Sequence, residues 1–209
     1  MSGRGILALG RVAFGLLTFV AIGVQLRTLA GDGKLDLVNY FSYFTILSNL
    51  IGATFLLVGA ARWRAPRSAR IDLLRGGAVV YLIVTFIVFA LLLSNTDVDL
   101  AIPWVNSVLH EIIPIVIVID WLLDPPMVRL SMRQGLLWLS FPAAWIGYVL
   151  IRGAIVGKYP YPFLDPANGG YASVAVYCVG ILVLMVAVCA AVVALGGWAR
   201  SRRAPATIS

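Results

Sequence analysis

Residues 173–198 read SVAVYCVGILVLMVAVCAAVVALGGW, from Ser173 to Trp198 without a single charged side chain. At 1.5 Å per residue this run makes a helix about 39 Å long, enough to cross a hydrocarbon layer about 30 Å thick. Working back along the chain, the same pattern recurs at Gly5 to Leu29, Leu37 to Ala61, Gly76 to Ser94, Pro103 to Leu123 and Gly135 to Ile151. Six spans leave no room for an appended soluble domain. Residues 1–209 are therefore expected to form one all-α, polytopic membrane domain. Composition agrees: 61% of the residues are hydrophobic and 12% charged, where soluble domains carry about 25% charged residues.

Arg11 interrupts the first run near its end, where a long stem is expected to snorkel toward the headgroups. Thr28-Leu29-Ala30 resembles a small-residue cleavage site, but the apolar stretch before it exceeds the roughly 7 to 15 residues of a signal peptide. The first span is expected to be retained. The net charge of +7 comes from short basic clusters between apolar runs, where membrane orientation accounts for them and nucleic-acid binding is not needed. Arg4 and Arg11, five arginines between Arg62 and Arg75, Arg129 with Arg133, and Arg200, Arg202 and Arg203 fall on one side, twelve in all. Arg27, Lys34, Arg152 and Lys158 make four on the other. That asymmetry places both termini in the cytoplasm. Asp32, Asp36, Asp97, Asp99 and Asp165 lie on the opposite side.

Cys178 and Cys189 share the last span and lie about 16 Å apart along a helix, too far to bridge. The single histidine, His110, excludes sites that need two imidazoles from one chain. Four of the five loops are short. The fifth, Arg152 to Ala172, carries Tyr159-Pro160-Tyr161-Pro162-Phe163 and is expected to form a structured cap on the outer headgroup layer, either a simple connector or a substrate lid.

Polar groups inside the spans are costly and so point toward function. Ser42, Thr45, Ser48 and Asn49 recur at spacings of three and four, hence on one face of the second helix. Asn106 and His110 share a face of the fourth, followed by Glu111, Pro114 and Asp120. Pro114 has no N–H, so a regular helix would leave the His110 carbonyl without its donor. Counted from the outer ends of their spans, Thr45 and His110 lie at similar depth, roughly 10 to 12 Å down. A hydroxyl level with an imidazole is a candidate nucleophile and base. The structural alternatives are a threonine bonded back to its own helix and a histidine bonded between helices. Glu111 and Asp120 suit a proton path or cation site, or else Asp120 meets Arg129 or Arg133 near the cytoplasmic end. Arg27, Arg152 and Lys158 at the outer boundary suit an anionic lipid head, or act as snorkelling anchors.

At Tyr43-Phe44-Thr45-Ile46-Leu47, Trp104 to His110 with Pro114 and Asp120 behind it, and Tyr161-Pro162-Phe163-Leu164-Asp165, the chain resembles the androgen-induced proteins and ADTRP. These are six-span hydrolases of fatty acid esters of hydroxy fatty acids, with bacterial relatives. The resemblance implies that Thr45 and His110 form a catalytic pair in a multi-pass plasma-membrane protein, as in a bacterial inner membrane, acting on a lipid substrate. Here Pro114 follows the histidine by four positions and Asp120 stands in place of the usual glutamate. The expected activity is an intramembrane threonine-dependent lipid esterase, with Asn49 or Asn106 stabilising the oxyanion, Ser48 behind them, and no metal or organic cofactor. No G-x-S-x-G elbow occurs, so the soluble esterase fold is not its source. The alternative is a small transporter or lipid-binding protein using His110, Glu111 and Asp120. The sequence does not fix an oligomeric state.

The charge asymmetry predicts that tags at both termini and in the loop from Arg62 to Arg75 are protected from an impermeant reagent on intact cells. A cysteine at Asp97 or Asn168 should be labelled; external labelling of the C-terminus would invert the topology.

Overall fold

The computed structural model describes residues 3–66, 68–94 and 102–203; Arg67, Asp97 and Asp99 lie outside these. The described residues are all-helical, with no strand. Six helices are long and apolar enough to cross a membrane: α1 (Gly3–Gly31), α2 (Phe44–Ala61), α3 (Ala69–Leu93), α4 (Pro103–Leu123), α5 (Met132–Val156) and α6 (Gly170–Ser201). The chain is a multi-pass membrane protein by this measure.

Local signals set the helix ends. Ser68 caps α3 by accepting the Ile71 N–H at 3.3 Å. Ser131 and Gln134 form a reciprocal capping box at the start of α5. Gly157, at φ +68°, closes α5 in the left-handed region, its N–H returning to the Gly153 carbonyl at 2.8 Å. On α1 the buried positions Ala8, Arg11, Gly15, Thr18, Ala21 and Ile22 form a helical stripe. That stripe packs on α2, where a Cβ on Gly15 would lie 2.9 Å from Leu57.

The second apolar run differs from one continuous helix. A single turn, Leu37–Tyr40, is capped by Asp36 accepting the Asn39 N–H, and α2 begins only at Phe44. The backbone groups released by this break find tertiary partners. Trp145 Nε1 donates to the Ser42 carbonyl at 2.9 Å, and the Thr45 N–H donates to the Tyr161 hydroxyl at 3.2 Å. Ser42 therefore lies before α2 rather than on its face.

Arg11 does not snorkel. It is 6% exposed, and its Nε and Nη2 donate to the two oxygens of Asp120 at 2.6 and 3.2 Å. Nη2 also donates to Asp124 at 2.6 Å. Arg75 joins Asp120 at 2.9 Å and Asp72 at 3.2 Å. Asp120 thus meets Arg11 and Arg75 instead of Arg129 or Arg133, because two spans bring guanidinium groups to its own depth. A buried carboxylate is tolerated when charge and hydrogen bonds both compensate it. The cluster ties α1, α3 and α4 together near the arginine-rich end.

The loop 157–169 is structured, as expected, and it also sends side chains inward. Tyr161 and Leu164 are buried, with short helical turns at Pro162–Leu164 and Pro166–Asn168. Tyr159 packs its ring over Gly153 so closely that a Cβ there would lie 2.1 Å from it. Tyr161 and Leu164 reach in between the helices, while Gly157, Lys158 and Pro162 stay exposed.

Removing one partner of a buried ion pair strands the other, at about 3 to 5 kcal/mol. Arg11→Met should accordingly lower the thermal unfolding midpoint of the detergent-solubilised protein far more than Arg27→Met. Equal midpoints would show that Arg11 is dispensable to packing.

Candidate functional site

Thr45 is the second residue of α2 and His110 sits in a π-helical turn of α4, Val108–Ile112. The Ile113 N–H reaches back five residues to the Val108 carbonyl. In that register the next donor would serve the Leu109 carbonyl, and the next residue is Pro114, which has none. The gap therefore falls at Leu109 rather than at His110. Asn49 fills it: its Nδ2 donates to the Leu109 carbonyl at 2.9 Å and to the Thr45 carbonyl at 2.9 Å. The side chain of Asn49 is a bolt between α2 and α4 at the level of the site.

Across this joint Thr45 Oγ1 lies 3.2 Å from His110 Nε2. His110 Nδ1 lies 3.1 Å from the Asn106 carbonyl oxygen. A carbonyl only accepts, so Nδ1 carries the proton and Nε2 presents its lone pair to the threonine hydroxyl. Phe89 stacks on the imidazole at 4.2 Å between centroids and 24° between planes. The ring is thus held from its far nitrogen and from one face. Thr45 turns to His110 and Tyr161 rather than bonding back to its own helix.

Tyr161 is the site residue that the sequence did not assign. Its hydroxyl is 3.2 Å from Thr45 Oγ1 and accepts the Thr45 N–H at 3.2 Å. Since the Thr45 proton points at His110, the Tyr161 O–H donates to Thr45 Oγ1. Each group gives one proton to the next, from Thr45 N–H to Tyr161, to Thr45 Oγ1, to His110 and to the Asn106 carbonyl. Burial pushes the Tyr161 phenol up to about 12, so it stays protonated and remains a donor. Phe163 stacks on its ring at 5.2 Å and Tyr43 meets it edge-on at 5.5 Å. The signal in the sequence was the Tyr-Pro-Tyr-Pro-Phe run, but nothing there showed that the loop turned inward.

The other expected residues divide. Ser48 is buried behind Thr45, 3.1 Å from its carbonyl and 3.0 Å from the Thr85 hydroxyl, where it supports α2 against α3. Both N–H groups of Asn49 are taken by carbonyls, so it has no donor for an oxyanion; its Oδ1 has no hydrogen-bond partner among the described residues. Asn106 lines a cavity beside His110 and holds the imidazole through its backbone. Arg152 donates to Asn39 at 3.4 Å and to the Lys158 carbonyl at 3.2 Å, and Lys158 pairs with Asp36 at 3.3 Å. The Asn39 N–H, with Lys158 behind it, holds the Asp36 carboxyl below its ordinary range. Arg27 is exposed and outside the cavity, whereas Lys34 lines it. Glu111 is exposed, and Asp120 belongs to the ion-pair cluster.

Two cavities meet at Thr45 and Tyr161. One, of about 330 Å³, is walled by apolar side chains from α3, α5 and α6, among them Val84, Val88, Ile146, Leu182 and Met185. The other, of about 230 Å³, holds His110 and Asn106 and reaches Lys34, Asp36 and Asn39. The threonine hydroxyl therefore has an apolar slot on one side and a more polar one on the other.

Asn49→Ala should cost stability, since the buried Leu109 carbonyl is left without a donor, at about 1 to 3 kcal/mol, while the Thr45 carbonyl keeps the Ser48 hydroxyl. Thermal unfolding checks this; an unchanged midpoint would show that Asn49 does not bolt α2 to α4.

No protein-family model, no curated protein and no solved structure matches this chain.

Proposed function

We propose that the protein is a lipid esterase with Thr45 as nucleophile and His110 as general base. The observation that carries this is the 3.2 Å contact between Thr45 Oγ1 and His110 Nε2, with the tautomer fixed by the Asn106 carbonyl. A neutral hydroxyl attacks poorly until a positioned base takes its proton. The family resemblance at Thr45 and His110 supports the same pair.

In the proposed reaction His110 Nε2 takes the hydroxyl proton as Thr45 Oγ1 bonds to the ester carbonyl carbon. The carbonyl oxygen becomes an oxyanion. Tyr161 O–H, already aimed at Oγ1, is placed to donate to it, and the N-terminus of α2 adds its positive dipole end. The tetrahedral intermediate collapses, the ester C–O bond breaks, and the imidazolium gives its proton to the leaving alcohol. Water then attacks the acyl-threonine, His110 accepting its proton and returning it to Oγ1 as the carboxylic acid departs. Asn49 has no part in oxyanion binding, and Tyr161 replaces it in that role.

The cavity walls support a lipid ester as substrate. An apolar acyl arm suits the slot between α3, α5 and α6, and the alcohol side of the ester suits the cavity of Lys34, Asp36 and Asn39. The competing transporter needs His110, Glu111 and Asp120 along one path. Glu111 is instead exposed and Asp120 is held in ion pairs.

Thr45→Ala should abolish turnover of long-chain esters, including branched esters of hydroxy fatty acids, and also remove fluorophosphonate labelling. Thr45→Ser should keep partial activity, and His110→Ala should be as inactive as Thr45→Ala because the pair acts as a unit. Tyr161→Phe should lower turnover by about 10²-fold or more, the effect of losing an oxyanion donor. Assays on purified protein decide the matter, and hydrolysis that persists in Thr45→Ala would eliminate the nucleophile.

A further inference from the structure

At the arginine-rich end a further recess opens, sharing no lining residue with the two cavities at Thr45. It has a volume of about 610 Å³ and lies between the start of α1, the end of α2 with the following loop, the start of α3 and the end of α4. Its floor is Arg11 and Arg75, whose charges are already met by Asp72, Asp120 and Asp124. Its rim is different. Arg4, Arg62, Arg64 and Arg203 all line the recess, and of these four only Arg203 approaches a carboxylate among the described residues, Asp124 at 3.9 Å.

Four guanidinium groups around one concavity, only one of them near a carboxylate among the described residues, make an anion-selective mouth. Guanidinium groups bind phosphate through paired N–H donors. The wall below the rim is apolar, formed by Leu7, Val58 and Leu123. A free inorganic anion has no use for that wall; a phosphate joined to acyl chains uses both. The position, just past the end of an apolar helix, suits headgroups. Arg62 and Arg64 follow directly on the end of α2 at Ala61, and Arg64 stacks over Trp63 at 4.3 Å, a side chain suited to the membrane interface.

We propose that this recess is a binding site for the headgroup of an anionic phospholipid in the leaflet at the arginine-rich end, with its first acyl carbons against Leu7, Val58 and Leu123. The site is separate from the Thr45 centre and independent of the reaction there. Its occupant would lie across the ends of α1, α2 and α4 and so stabilise the side of the bundle that the ion-pair cluster holds.

The test uses the full chain in detergent micelles doped with phosphatidylglycerol, phosphatidylcholine or inorganic phosphate. Thermal midpoints are followed against ligand concentration, and native mass spectrometry counts retained lipid. Phosphatidylglycerol should stabilise the protein and be retained as a discrete adduct, with the other two weaker by about tenfold or more. The triple variant R62Q/R64Q/R203Q should lose at least about tenfold in apparent affinity. The matched triple R70Q/R133Q/R202Q removes equal charge from the same end outside the recess and should lose much less. Equal loss in the two triples would mean diffuse attraction and would overturn the site. Equal stabilisation by free phosphate would overturn the lipid assignment, as would equal retention of phosphatidylcholine. Adduct counting on the unaltered protein reports lipid selectivity even where the triple variant fails to fold.

Discussion

Inside a bilayer a carbonyl that loses its helical donor has no water to turn to, and the geometry around Thr45 follows from how one such carbonyl is satisfied. Pro114 withholds a donor from α4, the π-helical turn moves the gap to Leu109, and Asn49 of α2 supplies the missing N–H. Because the same amide also holds the Thr45 carbonyl, closing the gap fixes α2 against α4 at the height where Thr45 and His110 face each other. The π turn also carries His110. The Asn106 carbonyl lies 3.1 Å from His110 Nδ1, which sets the proton on that nitrogen and leaves Nε2 to accept. Proline, asparagine and the imidazole tautomer are thus one mechanical unit.

A second constraint operates at the other end. Arg11, Arg75 and Asp120 lie on three different spans, and each charge would be intolerable there alone. Their pairing fixes the relative depth of α1, α3 and α4. With the arginine-rich end clamped by charge and the Thr45 level clamped by Asn49, α4 is held at two heights along α1 to α3. Tyr161 then enters from the loop after α5 against a prearranged surface. Its hydroxyl satisfies the Thr45 N–H exposed by the late start of α2. The break at residues 41–43 and the inward loop are two halves of one fit.

Hydropathy made the six spans legible, because a run such as Ser173 to Trp198 has only one stable solution in lipid. The pairing of Thr45 with His110 was legible as matched depth, although the count assumed a helix from Leu37. The chain descends through a single turn and an extended Tyr43 before α2 begins, and still arrives level with His110. What the sequence could not show were long-range partnerships. Nothing near Arg11 marks it as the mate of Asp120 rather than of the headgroups, since that depends on how α1 packs. Tyr161 looked like an interfacial tyrosine between prolines because aromatic belts and inward wedges share a composition. Asn49 looked like a donor for chemistry, and only the position of the Leu109 carbonyl shows its donors already committed.

The two cavities at Thr45 also bear on the order of events in the proposed esterase. Attack leaves the acyl group covalently attached, so its chain stays in the apolar slot of Val84, Val88 and Met185. That slot is walled almost wholly by apolar side chains, which offer a water no hydrogen-bond partner. The alcohol occupies the other cavity, the one that contains His110, and only its departure frees the space from which a water can meet Nε2. Under the proposed scheme deacylation follows alcohol release, with the more polar cavity that reaches Lys34, Asp36 and Asn39 as the route for water. The polarity of that second cavity has a purpose under this scheme that substrate binding alone would not require: it admits the nucleophile for the second half of the reaction to the face of His110 opposite the Asn106 carbonyl, while the acyl chain is kept dry.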